Sequence, residues 1–70
     1  MEQLQKKQLT EALVQVALLE SKEIAVNFAE IIAYLQQGNH LAALGALRGI
    51  EETFRFLGVA LAAVARLSQS

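Results

Sequence analysis

Apolar residues in the second half of the chain recur at alternating intervals of four and three. This heptad spacing places them on one face of an α-helix and is typical of helices that pack side by side at about +20°. Past Phe54 the predicted helix is apolar almost all round, interrupted only by Arg55 and Arg66, and such a helix is buried on every side. The heptad set is Ala43, Leu47, Ile50, Phe54, Leu57, Leu61 and Val64, and a second strip is Phe56, Ala60, Ala63 and Leu67.

The first half of the chain carries two shorter apolar stripes that are offset by one residue, with a polar run at residues 20–23 between them. The drift of a straight helix against a heptad repeat accounts for part of this offset. A break near Ser21, which could cap a second segment, is the alternative. The absence of glycine and proline here favours one continuous helix. The stripes are Leu9, Leu13 and Val16, and then Ile24, Phe28, Ile31 and Leu35.

One stretch of the sequence has the composition of a turn, Gln36-Gln37-Gly38-Asn39-His40. Gly38 can adopt the left-handed conformation that ends a helix, and Asn39 can cap the next helix through its side-chain oxygen. We therefore predict one all-α domain over residues 1–70, with helix 1 at about 3–37, a turn at 37–40 and helix 2 at about 40–68. So short a connection makes the helices antiparallel neighbours in a hairpin.

The composition indicates that the hairpin associates with another chain, because the 70 residues are 54% hydrophobic and only 19% charged. A chain of this size buries about 60% of the surface that its unfolded state exposes. Disulfides, metals or association usually supplement so small a core, and the chain has no cysteine and one histidine, His40. We therefore predict that the chain associates with itself, as a homodimer or a higher oligomer, and the favoured form is a dimer that makes a four-helix bundle. The predicted dimer core is Leu47, Ile50, Phe54, Leu57, Leu61 and Val64.

Residues that could carry chemistry are sparse. His40 lies at the turn, and the carboxylates nearest to it in sequence, Glu30 and Glu51, are each about ten residues away. Di-iron bundles use a Glu-x-x-His pair, whereas Gln37 stands at that distance before His40. No Gly-x-Ser-x-Gly elbow and no glycine-rich phosphate loop occurs. We expect no enzymatic activity, no catalytic residue, no cofactor and no metal site.

Polar residues form two groups along the chain. In helix 1 we interpret Glu20, Glu23, Glu30 and Asn27 as the solvated side. In helix 2 two arginines stand three and four residues from two glutamates, at Arg48, Glu51, Glu52 and Arg55, so that each arginine can pair with both glutamates. This strip is either a solvated salt-bridge lattice or a recognition strip, since arginine and aromatic residues anchor interfaces. The candidates for partner binding are Arg48, Arg55, Phe56 and Tyr34.

Glycine recurs inside helix 2, with Gly45 and Gly49 four residues apart and Gly58 and Ala62 repeating the interval. Each mid-helix glycine costs ~1 kcal/mol relative to alanine. Small residues at this spacing let two helix backbones approach closely. Close packing is the favoured interpretation, and simple tolerance in a strongly helical context is the alternative.

The length, the hairpin layout and the single turn resemble those of the ROP family of small plasmid regulators, which form four-helix bundles. The resemblance covers layout and no residue motif, so no functional residue is carried over from that family. Residues 34–44 are also similar to the turn of a tetratricopeptide hairpin, although such arrays stack about three or more repeats.

The sequence favours a small non-enzymatic protein that binds another protein as a regulator, inhibitor or adaptor and acts as a helical dimer, with a size that fits a phage- or plasmid-encoded protein. One alternative is a nucleic-acid-binding regulator of ROP layout that uses Lys6, Lys7, Lys22 and the arginines, which the net charge of −1 disfavours. Another is a scaffold subunit of a larger complex. The longest apolar run, residues 56–65, is shorter than the roughly 20 residues of a membrane span, so we expect a cytoplasmic protein.

Overall fold

The computed structural model describes residues 2–69, which form two helices, α1 (Glu2–Gln36) and α2 (His40–Gln69). The described residues contain no strand, and this confirms the predicted all-α helical hairpin. α1 runs through Ser21 without a break. The hydroxyl of Ser21 donates a hydrogen bond of 2.7 Å to the carbonyl of Ala17 one turn earlier, and so it does not cap a new segment.

The turn joins the helices through two hydrogen bonds at the end of α1. The amide of Asn39 donates to the carbonyl of Tyr34 at 2.8 Å, and the amide of Gly38 donates to the carbonyl of Leu35 at 3.1 Å. This pair of bonds is a Schellman motif, which needs a left-handed residue, and Gly38 has a φ of 74°. The side chain of Asn39 then accepts a hydrogen bond from the amide of Ala42 at 3.2 Å and caps α2.

The hairpin is long and thin, with Cα extents of 55 × 14 × 13 Å and a radius of gyration of 16.1 Å. A globular domain of 70 residues has a radius of gyration of about 11 Å. The accessible surface is 5512 Å², against about 4,300 Å² for a compact monomer of this mass. The single chain therefore exposes about 1,200 Å² more surface than a compact fold would.

The helices meet along an inner seam of buried and half-buried residues. On both helices these residues alternate at intervals of three and four along nearly the whole hairpin, which is the pattern of supercoiled helices. The inner seam comprises Lys6, Thr10, Leu13, Ala17, Glu20, Ile24, Asn27, Ile31 and Tyr34 of α1, and Ala43, Ala46, Ile50, Thr53, Leu57, Ala60, Val64 and Leu67 of α2.

Small side chains dominate the deepest part of the inner seam. Its buried residues are Ala17, Ala43, Ile50 and Ala60. The hydroxyls of Thr10 and Thr53 donate hydrogen bonds of 2.8 and 3.3 Å to the carbonyl one turn earlier, so these polar side chains are satisfied within their own helix. None of the large side chains among residues 2–69 is completely buried. The contact between the two helices is therefore a narrow core.

The structure divides the predicted heptad set of α2 between two surfaces. The members in the inner seam are Ala43, Ile50, Leu57 and Val64. Three members lie outside it, with 40, 64 and 52% of their surface exposed: Leu47, Phe54 and Leu61. The seam instead contains the residue before each of these, Ala46, Thr53 and Ala60. A dimer core needs a second copy of the chain, so the predicted dimer core stays a prediction.

The interpretation of the polar residues of α1 as one solvated side is wrong for Glu20 and Asn27. These two residues are seven apart and therefore share the inner seam, whereas Glu23 and Glu30 lie three residues further round and are exposed. The Oε1 atom of Glu20 is buried and has no hydrogen-bond partner among the described residues. The polar run at residues 20–23 thus crosses the contact between the helices.

Candidate interaction surface

A second apolar surface, which we name the apolar flank, runs beside the inner seam. Each of its residues comes one position after a residue of the inner seam in the sequence. In an antiparallel pair the residues that follow the seam on the two helices lie on the same side of the hairpin. The apolar flank comprises Val14, Leu18, Phe28, Ile32 and Leu35 of α1 and Leu44, Leu47, Phe54 and Leu61 of α2, each at least 39% exposed.

The apolar centre of α2 lies between the inner seam and the apolar flank. Along the seam small residues stand at Ala46, Thr53 and Ala60, and the large residues stand immediately after them. Successive residues are 100° apart around a helix. Because the large side chain follows the small one in each heptad, the midline of the apolar surface of α2 is turned by about 50° from the seam toward the flank. A helix in a four-helix bundle has two neighbours, so its most apolar line points between them toward the bundle axis. The apolar centre of α2 has that direction if a second body covers the flank.

The opposite side of the hairpin is more acidic. Over residues 14–35 and 42–61 that side carries Glu23, Glu30 and Glu52, whereas the flank carries Glu51 alone. A symmetric dimer places the same patch of both copies face to face. Contact through the opposite side would therefore bring like charges together, which is unfavourable. Between the two sides, the flank is the better surface for a second copy.

The candidate residues for partner binding fall into two places. Arg48 and Arg55 are seven residues apart on the outer edge of α2, with Phe56 exposed beside them. Among residues 2–69 neither arginine forms an ion pair, so the salt-bridge lattice of the sequence analysis is not present in this structure. Tyr34 lies apart from this strip, half-buried in the inner seam beside the turn. The structure thus places the two arginines on one line along α2, with Phe56 one residue further round the helix, and Tyr34 apart from them.

The glycines of α2 do not mediate contact between the two helices of the hairpin. A Cβ atom added at Gly45, Gly49 or Gly58 would meet no atom within 4 Å apart from the adjacent backbone. Gly58 lies on the same side as the apolar flank, and the other two lie on the opposite side. Close backbone approach at these positions requires a helix from another molecule.

The remaining candidates for chemistry are the acidic residues and His40. No three histidine, cysteine, aspartate or glutamate side chains of residues 2–69 come together in a way that could hold a metal ion. His40 is the exposed first residue of α2. Over the same residues, neither helix has an apolar stretch of the length and hydropathy required to cross a membrane.

Comparisons with protein families, with curated proteins and with solved structures found no match. A function can therefore be inferred only from the geometry and chemistry of the chain's own surface. The strongest feature of that surface is the apolar flank. Three of its residues on α2, Leu47, Phe54 and Leu61, belong to the predicted dimer core, and two on α1, Phe28 and Leu35, belong to the predicted second stripe. Val14, Leu18, Ile32 and Leu44 belong to none of the predicted stripes, although their places beside the seam follow from the helical repeat.

Proposed function

We propose that this chain is a small non-enzymatic regulator or inhibitor that binds another protein and acts as a dimer. The two copies pack through their apolar flanks into a four-helix bundle. The observation that carries the proposal is the exposure of the flank, where Phe54 is 64% and Ile32 is 57% exposed in the single hairpin. Contiguous apolar surface of this extent is typical of interfaces.

The side of the hairpin that carries the flank is large enough for a dimer contact. That whole side measures 55 × 14 Å between Cα atoms, about 770 Å², and a standard interface buries roughly 800 Å² on each partner. The surplus of about 1,200 Å² over a compact monomer is of the same order. One further copy is therefore sufficient to cover the flank, and a larger assembly is not required by the area.

The dimer leaves the outer edge of α2 in solvent. Arg48 and Arg55 lie on that edge, away from both the seam and the flank. Their guanidinium groups and the exposed ring of Phe56 form a surface of the composition that protein interfaces favour. This strip is the proposed contact with the regulated protein. Each bundle would display it twice, once on each copy.

Sedimentation equilibrium tests the dimer. At micromolar concentration the mass should be about twice the 7.6 kDa of one chain. A folded monomer at that concentration would contradict the proposal. Capture of a protein by the immobilised chain, followed by its identification, tests the binding function, and the salt dependence of the complex separates the classes of partner. Nucleic acid would give a steep loss of affinity with salt because counterions are released on binding.

A further inference from the structure

A groove lies between the two helices toward the chain ends, on the side opposite the apolar flank. Its volume is about 470 Å³, within the range of roughly 300–1,000 Å³ that ligand sites occupy. We name it the terminal groove. Its apolar lining is Leu9, Leu13, Val59, Ala62, Ala63 and Leu67. The two alanines leave space, and the larger residues around them supply the apolar wall.

Arg66 is the charged residue of the groove lining, at the end nearer the C-terminus. It is exposed, and no carboxylate among residues 2–69 forms an ion pair with it. A guanidinium group presents paired N–H donors that match the two oxygens of a carboxylate. The groove therefore combines an apolar wall with a cation at one end, and this arrangement complements an anion that is joined to an apolar tail.

The length of the groove indicates a chain-like ligand and not a helix. α2 rises about 12 Å from Val59 to Leu67. An extended covalent chain advances ~3.5 Å for every three bonds, so about ten bonds match that length. A docked helix of three turns would be about 16 Å long. Continued toward the turn, it would approach the acidic Glu52 on the same side of α2.

We propose that the terminal groove binds a single-chain amphiphile with a carboxylate head group and an unbranched tail of about ten carbons. Arg66 binds the head group, and the tail lies over Ala62 and Ala63 between the leucines. This site goes beyond the protein-binding function. It is compatible with that function and does not depend on it, because a second copy on the apolar flank leaves the groove open.

Titration of the isotope-labelled full chain with decanoate, below the concentration at which decanoate forms micelles, tests the site. Amide shifts in the magnetic resonance spectrum should saturate and cluster at residues of the groove. Decanol and decylamine have the same number of carbon atoms as decanoate, with a neutral and a cationic head group. We expect decanol to bind about tenfold more weakly, because it loses the charge-assisted hydrogen bonds, and decylamine to bind more weakly still.

Two variants locate the ligand. Arg66→Gln should weaken decanoate binding about tenfold, and Ala63→Leu should abolish saturable binding because the leucine side chain fills the floor. Lys22→Gln also removes one positive charge, and Ala29→Leu makes the same alanine-to-leucine change, at exposed positions outside the groove. Both controls should keep the affinity of the parent chain.

Three results would overturn the site: no saturable shifts, equal affinity for the three amphiphiles, or shifts that cluster on the apolar flank. Sedimentation of the same samples reports the oligomeric state separately. A dimer that does not bind decanoate overturns the groove and leaves the proposed function intact. Binding of decanoate at the groove of a folded monomer supports the site and contradicts the dimer.

Discussion

The inner seam and the apolar flank lie side by side and differ in the size of their residues. The most deeply buried part of the seam holds three alanines and one isoleucine. The flank holds two phenylalanines and a series of leucines, isoleucine and valine, each between 39 and 64% exposed in the single chain. A stable fold buries its largest apolar side chains, since each contributes about 1.5–3 kcal/mol on full burial. The hairpin alone buries mainly alanine and leaves most of its large apolar side chains partly exposed.

The difference assigns separate roles to the two surfaces. Alanine and threonine in the seam allow the helices of one chain to approach closely and set their register. The seam also contains Glu20 and Asn27, and the buried Oε1 atom of Glu20 has no hydrogen-bond partner among the described residues, which reduces the stability of the contact. In the proposed dimer, most of the stability of the fold would come from covering the flank. Folding and association would then be coupled, as in obligate dimers.

The largest effect is expected from a charge on the flank. Phe54→Asp would remove an aromatic side chain and bury a carboxylate in each copy of the dimer, and burial of one ion costs several kcal/mol. We expect loss of the dimer and of helicity at micromolar concentration, measured by sedimentation equilibrium and circular dichroism. In an isolated hairpin Phe54 is 64% exposed, and the same change would be nearly neutral.

Gln15→Asp is the matched control for that variant, because Gln15 lies at an exposed position away from both the seam and the flank. It introduces the same charge and should leave the dimer and the helicity unchanged. Equal behaviour of the two variants would show that the flank is in contact with water, and the four-helix bundle would then be wrong.

A smaller effect is expected from truncation in the inner seam. Leu57 is half-buried against α1 in the single hairpin, and a bundle would enclose it further. Leu57→Ala should lower the free energy of unfolding by ~2–5 kcal/mol per site. The change occurs twice in a dimer, so the thermal midpoint should fall steeply and should depend on protein concentration. Gln15→Ala is the comparison, and a similar midpoint for both variants would show that this face of α2 lies in solvent.

The sequence was sufficient to predict two helices and the turn between them. Gly38 and Asn39 are local signals, and the structure confirms both the left-handed residue and the cap. Which residues of α2 form the inner seam could not be predicted from the sequence of α2 alone. Its apolar surface is wider than one contact, and the spacing of Ile50 and Leu57 is compatible with either Thr53 or Phe54 as the residue between them.

The place of Glu20 shows why side-chain character misled the prediction for α1. A charged residue in a polar run is normally solvated. Its position seven residues from Asn27 and four from Ile24 nevertheless puts it in the seam. Periodicity therefore determined the packing, and polarity did not. The proposed recognition strip and the proposed dimer depend on other molecules, and a single chain does not contain that information.

Alanine substitutions at two glycines of α2, one on each side of the hairpin, should differ by about 1 kcal/mol in their effect on the free energy of unfolding. Gly49→Ala should stabilise the fold by ~0.8–1 kcal/mol, because alanine has the higher helix propensity and its Cβ meets open space. Gly58→Ala should give no gain or a loss, since its Cβ would project from the flank side into the facing copy. Chemical denaturation of both variants measures the difference, and equal stabilisation would remove Gly58 from the interface.

The smallest effect on stability is expected at the outer edge of α2. Arg48 and Arg55 form no ion pair with any residue of 2–69, so Arg48→Ala with Arg55→Ala should change the free energy of unfolding by only a few tenths of a kcal/mol. Binding is expected to respond differently, because an arginine that anchors an interface contributes about 2 kcal/mol or more, a loss of roughly thirtyfold in affinity. Circular dichroism and a binding titration with the captured partner on the same protein separate the two effects. Gln15→Ala with Gln36→Ala serves as the control on the exposed surface of α1. Unchanged helicity with unchanged capture would reject the strip as the recognition surface, and the contact would then be sought at Tyr34 and the exposed polar residues of α1.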